Sequence, residues 1–304
     1  MTISMQPFSW DAISRPNQQT PVADTDRGFF PSTIRVITTL SGASYVAKLF
    51  ERVPSLWNKI METMGRQPSE YAAAFSAKFA PVTSLMSIIP VTIDQVKKAF
   101  GSAIPSSETF AGLDDEEIAV RTAHYQSKHR ATQTEAVSLT CYSVSLFAGV
   151  LPGSKIANAV KTAAEFTGLS ASAQKVVHFV NNIRSGSNMS ERVATADGIT
   201  EEARTGAATL LRDTKRSDML GIAKEVTYFV GAAAGLWLAF SGQAVLPGVA
   251  LAVLSTASAT FGIWRMIYEE QMQNKPVDCV VQEQNLSAME RGQGFVLCPN
   301  SLEA

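Results

Sequence analysis

Three histidines, three cysteines and one acidic run are the residues whose types could do chemistry in this chain. His124 and His129 are five positions apart, and at about 100° per residue that spacing turns the two rings to different faces of a helix, not to the shared face of i, i+4 metal ligands. With His178 far off in sequence, the histidines read as solvated or core side chains. Cys141, Cys279 and Cys298 form an odd, scattered set without a CxxC pair, which predicts free thiols and no disulfide framework. Asp114, Asp115, Glu116 and Glu117 look at first like a cation site. No histidine or further carboxylate lies at ligand spacing beside them, whereas carboxylates are favoured at the positive end of a helix, so the run predicts a helix start. GxSxG, GxxxxGK[ST] and HExxH are absent, and no GxGxxG follows a strand-like run. The expectation is a protein without catalytic residues, metal or cofactor.

Composition moves the question from chemistry to solvent. The chain is 46% hydrophobic and 17% charged, more apolar and less charged than an ordinary soluble protein, which points toward lipid. Its formal charge is −1, so it has no global basic field to attract a phosphate backbone, and a nucleic-acid partner is not expected. The first residues lack the basic and apolar regions of a Sec signal peptide and are rich in Ser, Thr, Gln and Pro, so 1–31 reads as a disordered leader.

From Ser32 the apolar spacing is helical. Val36, Leu40, Ala43, Ala47 and Phe50 share a face, and Leu56, Ile60 and Met64 continue it beyond Pro54, which predicts an amphipathic pair of helices. GRQPS (65–69) breaks the run and a third helix begins near Glu70. Residues 79–93 carry no charge but contain Pro81 and Pro90 and are too short to cross a bilayer. Thr92 and Gln95 then match a capping box for another helix through Phe100. A second uncharged stretch, 136–154, is long enough to span, but Ser138, Thr140, Ser143 and Ser145 make it equally a core helix. Further amphipathic helices are expected over 155–183, and SGSNMSERVATADG (185–198) has the composition of a linker. Strand-like alternation is scarce, so the fold class is mainly α.

The strongest feature is the 39 residues from Val226 to Trp264, which contain no charged side chain. As one helix they would measure about 58 Å, nearly twice the ~30 Å hydrocarbon core. Ser241, Gly242 and Gln243, with Pro247 and Gly248, write a turn into the middle. The expectation is a C-terminal two-helix transmembrane hairpin with amphipathic helices before it. Gly231 and Gly235 form a GxxxG, and Ala252, Thr256 and Ala259 offer small residues on the returning arm, so these five are the expected packing face. Lys215, Arg216 and Lys224 precede the hairpin, Arg265 and Lys275 follow it, and the turn has none, which places both flanks on the cytosol-like side. Tyr228, Trp264, Arg265 and Tyr268 are the expected interfacial residues; Trp237 falls deep in the first arm. The segment 199–264 is thus a helix plus hairpin, and 265–304 a disordered tail. A homo-oligomer is compatible with the GxxxG.

The stretches STIRVITTLSGASYVAKLFE, SAIPSSETFAG and YQSKHRATQTEAVSLTCYSVSLFAGVLPGSKI, followed by LGIAKEVTYFVGAAAGLWLAFSGQAVLPGVALAVLSTASATFGIW, resemble in order and layout the chlamydial inclusion membrane proteins. That resemblance implies export by a type III system, insertion in the inclusion (vacuole) membrane of a host cell, both termini in host cytosol, and a non-enzymatic role displaying helices to an unknown host protein. The tail beyond the apolar stretch departs from it. The layout also resembles, more faintly, the peroxin 11 family, which implies membrane remodelling. A third reading is a soluble helical protein that buries the hairpin and inserts on a trigger, as pore-forming proteins do.

Overall fold

A computed structural model of the protein describes residues 28–104, 110, 112–148, 155–196, 200–272 and 275–291. Among these residues all regular structure is helical: α1 (Phe29–Thr38), α2 (Leu40–Thr63), α3 (Glu70–Ala99), α4 (Asp115–Ala148), α5 (Lys155–Thr195), α6 (Glu201–Ser241), α7 (Gly248–Gln271) and α8 (Cys279–Glu290).

Local chemistry explains where several helices begin. Thr39 has extended backbone, and its hydroxyl accepts from the Gly42 N–H at 3.0 Å, capping α2. A Cβ at Gly42 would lie 1.9 Å from the Val36 carbonyl oxygen, so the elbow between α1 and α2 closes only on glycine. The first break therefore falls at Thr39 and not at Pro54, which sits inside α2. Proline removes one backbone hydrogen bond, and packing of α2 between α3 and α7 carries the helix past it. Ser69 caps α3 through Ala72 N–H, and the helix runs as one unit beyond Pro81 and Pro90. Thr92 starts no new helix: its hydroxyl lies 3.2 Å from Ser143 Oγ on α4. At the head of α4, Glu117 N–H donates to Asp114 Oδ1 at 2.8 Å and Asp114 N–H to Glu117 Oε2 at 3.1 Å, a reciprocal capping box.

Two segments with loop-like composition are ordered. Residues 185–195 belong to α5, because Ser185, Met189 and Val193 recur every fourth residue and are all buried. Residues expected as a disordered tail finish α7 and form α8, whose Cys279 packs with Met189 and Leu211. The leader 1–27, part of 136–154 (149–154), Cys298 and the rest of 292–304 lie outside the described residues.

The six long helices close a ring: α2 packs on α3, α3 on α4, α4 on α5, α5 on α6, α6 on α7, and α7 returns to α2. α7 and α2 are antiparallel, with Gly262 at Tyr45, Ser255 at Arg52 and Gly248 at Lys59. Since Ala99 O meets Gln133, α4 continues well beyond the end of α3. The molecule therefore has two halves. One is the six-helix ring, which ends at the turn 242–247; the other consists of the extensions of α4, α5 and α6 with α8 laid on α4 and α5. Among the described residues two helices, α6 and α7, are long and apolar enough to cross a membrane.

Candidate functional site

The turn residues of the expected hairpin act as their types require. Gly242 ends α6 in the left-handed conformation, φ 69°, and its N–H donates to Leu238 O at 3.0 Å. Ser241 Oγ donates to Trp237 O at 2.7 Å and accepts from Gln243 N–H at 3.1 Å. Pro247 is the N-cap of α7 and Gly248 its first residue. The turn takes six residues, leaving arms of about 24 and 25 Å at 1.5 Å per residue, most of a ~30 Å hydrocarbon core.

The expected packing face is only partly the real one. A Cβ on Gly231 would make ordinary contact with Leu254 at 3.7 Å, and one on Gly235 would meet nothing within 4 Å, so the GxxxG is not a site of close approach. On the returning arm Ala259 is 2% exposed and packs tightly, whereas Ala252 and Thr256 are half-buried; Thr256 Oγ1 donates back to Ala252 O at 2.8 Å. The close approaches are made by glycines that no sequence motif marks. A Cβ on Gly262 would lie 2.4 Å from Tyr45 Cε1, and one on Gly168 2.4 Å from the Tyr228 hydroxyl.

Of the expected interfacial residues, Trp264 is 55% exposed. Tyr228 instead turns into the bundle against Gly168 and shares a hydrogen bond with the Tyr142 hydroxyl. Tyr268 donates to Asp213 Oδ1 at 3.2 Å, and Arg265 donates to Glu269 and Ser217 while its guanidinium stacks 4.6 Å from the Phe179 ring centroid. Both thus pack on neighbouring helices.

These inward tyrosines belong to a cluster that the sequence does not announce. At the waist of the ring, Lys224 pairs with Glu225 at 2.8 Å, Lys175 lies 4.0 Å from Glu225 and pairs with Glu135, and Ser172 Oγ donates to Glu225 Oε2 at 2.7 Å. Lys224 and Lys48 lie 5.9 and 5.4 Å from the centroid of the Tyr45 ring, and Arg52 donates to Ser255 O at 2.7 Å. Lysine, arginine, glutamate and tyrosine from α2, α4, α5 and α6 therefore face one another inside a ring whose outside carries Val226, Phe229, Trp237, Phe240 and Val253. At this level of the ring, polar groups inside and apolar groups outside reverse the soluble arrangement, although Ala136, Ala164, Leu236 and Ala259 are also buried there.

The other half is held by an ion-pair lock on α8. Arg121, 0% exposed, donates to Val281 O at 3.1 Å and to the Asn285 and Gln284 side-chain oxygens. Asp278 accepts from Lys128 at 2.8 Å and from His124 at 2.9 Å; burial would raise its carboxyl, but these two neighbours hold it well below the usual carboxylate range. His124 stacks edge-on against His178 at 5.6 Å, two histidines 54 positions apart. Burial lowers the His178 pKa, which favours the neutral ring. Asp218, 4% exposed, is pushed up to about 6 by burial despite the Asn182 amide that donates to it. Cys279 is a free, buried thiol raised by burial, and Cys141 is free and half-buried. Among the described residues no group of three or more His, Cys, Asp or Glu could hold a metal ion.

Comparison with known proteins finds no similarity: no family model, no curated protein and no solved structure matches the chain.

Proposed function

We propose that the protein is a helical membrane protein that seats its six-helix ring in a bilayer and presents the α8 half to the aqueous phase. The observation that carries this reading is exposure. A core helix of a soluble protein is mostly buried, yet of the most apolar 18-residue windows of α6 and α7 only 17% and 22% of residues are buried by the rest of the chain. Something other than this chain must cover that surface, and lipid matches its chemistry.

The charge distribution supports a belt wider than the hairpin. Residues 79–93 of α3, 136–148 of α4, 226–241 of α6 and 248–264 of α7 carry no charge. Outer charges at the hairpin-turn end include Lys59 beside Gly248, its partner Glu62, and Lys161, five residues before the Phe166 that meets Phe240, where long side chains reach the far headgroups. The exposed faces of α1, with Phe29, Phe30 and Ile34, add apolar surface at the opposite rim.

In this reading both ends of the hairpin lie on the same side as α8, and the role is non-enzymatic: anchoring a helical, charged surface for a protein partner. The resemblance to inclusion membrane proteins supports the specific form in which a type III system delivers the chain and the α8 half faces host cytosol. Carbonate extraction of membranes from host cells expressing the chain tests the membrane claim. Retention in the pellet is expected, and release into the supernatant would overturn it in favour of a bundle that hides the hairpin until triggered.

A further inference from the structure

The charged cluster at the waist of the ring holds more cation than the described carboxylates pair with. Lys224 has Glu225 and Lys175 has Glu135, but among the described residues Lys48 and Arg52 form no ion pair. The stretch of α3 whose side chains are not described, 81–90, contains no carboxylate that could serve them. Glu51 adjoins Arg52 in sequence without pairing, and even when it is counted, Lys48, Arg52, Lys175 and Lys224 face three carboxylates. Lys48 and Lys224 lie 5.4 and 5.9 Å from the Tyr45 ring centroid, Lys224 also hydrogen-bonding the Tyr45 hydroxyl, so two ammonium groups are held beside one ring. Arg52 uses one guanidinium nitrogen on Ser255 O and has donors to spare. Unpaired charge inside an apolar jacket is costly unless a counter-charge arrives.

We propose that Lys48 and Arg52, beside the Tyr45 ring, form a binding site for a tetrahedral oxyanion of the phosphate class, enclosed by α2, α6 and α7. A guanidinium fork and an ammonium are the pair of donors that such an anion takes best, and Arg52 and Lys48 sit one helical turn apart on the same face of α2. The phosphate arrives either free in solution or as the headgroup of an acidic lipid. The geometry on which the site rests lies within the ring and holds whether or not the ring sits in a bilayer.

Thermal unfolding of the full chain in a neutral detergent tests the site. One arm titrates inorganic phosphate against chloride at matched ionic strength; the other compares mixed micelles containing phosphatidic acid with micelles containing phosphatidylcholine. The expected result is a rise of several degrees in Tm in one arm when the ligand is at ~100-fold excess over its Kd. The rise is abolished in Lys48→Gln and in Arg52→Gln and kept in Lys59→Gln, whose side chain is exposed at the turn end. A rise with phosphate identifies the free anion, and a rise confined to phosphatidic acid identifies the headgroup. No rise in either arm, or an equal rise in the Lys48 and Arg52 variants, overturns the site. Each variant should fold without ligand, since each removes a cation that no described carboxylate pairs; failure of both to fold would equally overturn the proposal.

Discussion

Among single residues, buried charges and the glycines that admit close neighbours decide how the helices fit. Asp218 is the clearest case. Burial raises its folded pKa to about 6 from an ordinary 3.8, so the stabilisation from its protonated form is full below about pH 3.8 and lost as pH rises through about 6. Asp218→Asn keeps an acceptor for Asn182 and removes the buried charge. It should therefore raise stability by about 1–3 kcal/mol at pH 8 and by about half as much at pH 5, read from thermal unfolding at the two values. Unchanged stability at pH 8 would count against a buried, charged carboxylate. Glycines give a second contrast. Gly262→Ala forces a methyl into the Tyr45 ring and should cost about 1–3 kcal/mol, whereas Gly235→Ala meets open space and should be neutral or stabilising by up to about 1 kcal/mol through helix propensity. Equal effects at the two positions would contradict the packing described. The GxxxG spacing is visible in the sequence and the Gly262–Tyr45 approach is not, because the latter pairs residues more than 200 positions apart whose proximity follows only from closure of the ring.

At the scale of elements, α8 is the piece that composition hides. Its segment reads as polar tail, since VVQEQNLSAME alternates no regular apolar face; its order comes from a receiving surface, Arg121, Lys128 and Asn182, assembled by two other helices. The linker-like 185–198 misleads for a related reason: Ser185, Met189 and Val193 make a stripe only two of whose members are apolar. Asp114 to Glu117 and Gly242, by contrast, are legible because caps are local and need only neighbouring residues. Arg121→Ala removes a fully buried donor from three acceptors on α8 and should destabilise its docking by about 2–4 kcal/mol. In amide hydrogen exchange the backbone of 279–290 should lose protection while 226–241 keeps it. Loss of protection across both regions would mean that α8 is not a separable cover but part of the ring's own stability.

For the whole molecule, the central feature is a charged cluster of lysines, glutamates and tyrosines inside a ring whose outside carries tryptophan, phenylalanine and valine. The long charge-free run of 226–264 is plain in the sequence, as is the mainly helical class. That four helices, and not two, contribute to an uncharged belt was written there too, in 79–93 and 136–148, but each stretch is too short or too rich in serine to identify alone. The charges of α2 mask the rest, because a one-dimensional window cannot tell that Lys48 and Arg52 face inward. Trp237, 56% exposed on α6, sits where this arrangement demands lipid. A variant retaining Trp237 as its sole tryptophan, reconstituted into vesicles whose acyl chains carry bromine, measures this directly. A lipid-facing Trp237 gives a blue-shifted emission, strongly quenched by the brominated lipid and insensitive to aqueous iodide. Red-shifted emission quenched by iodide and untouched by bromine would contradict it.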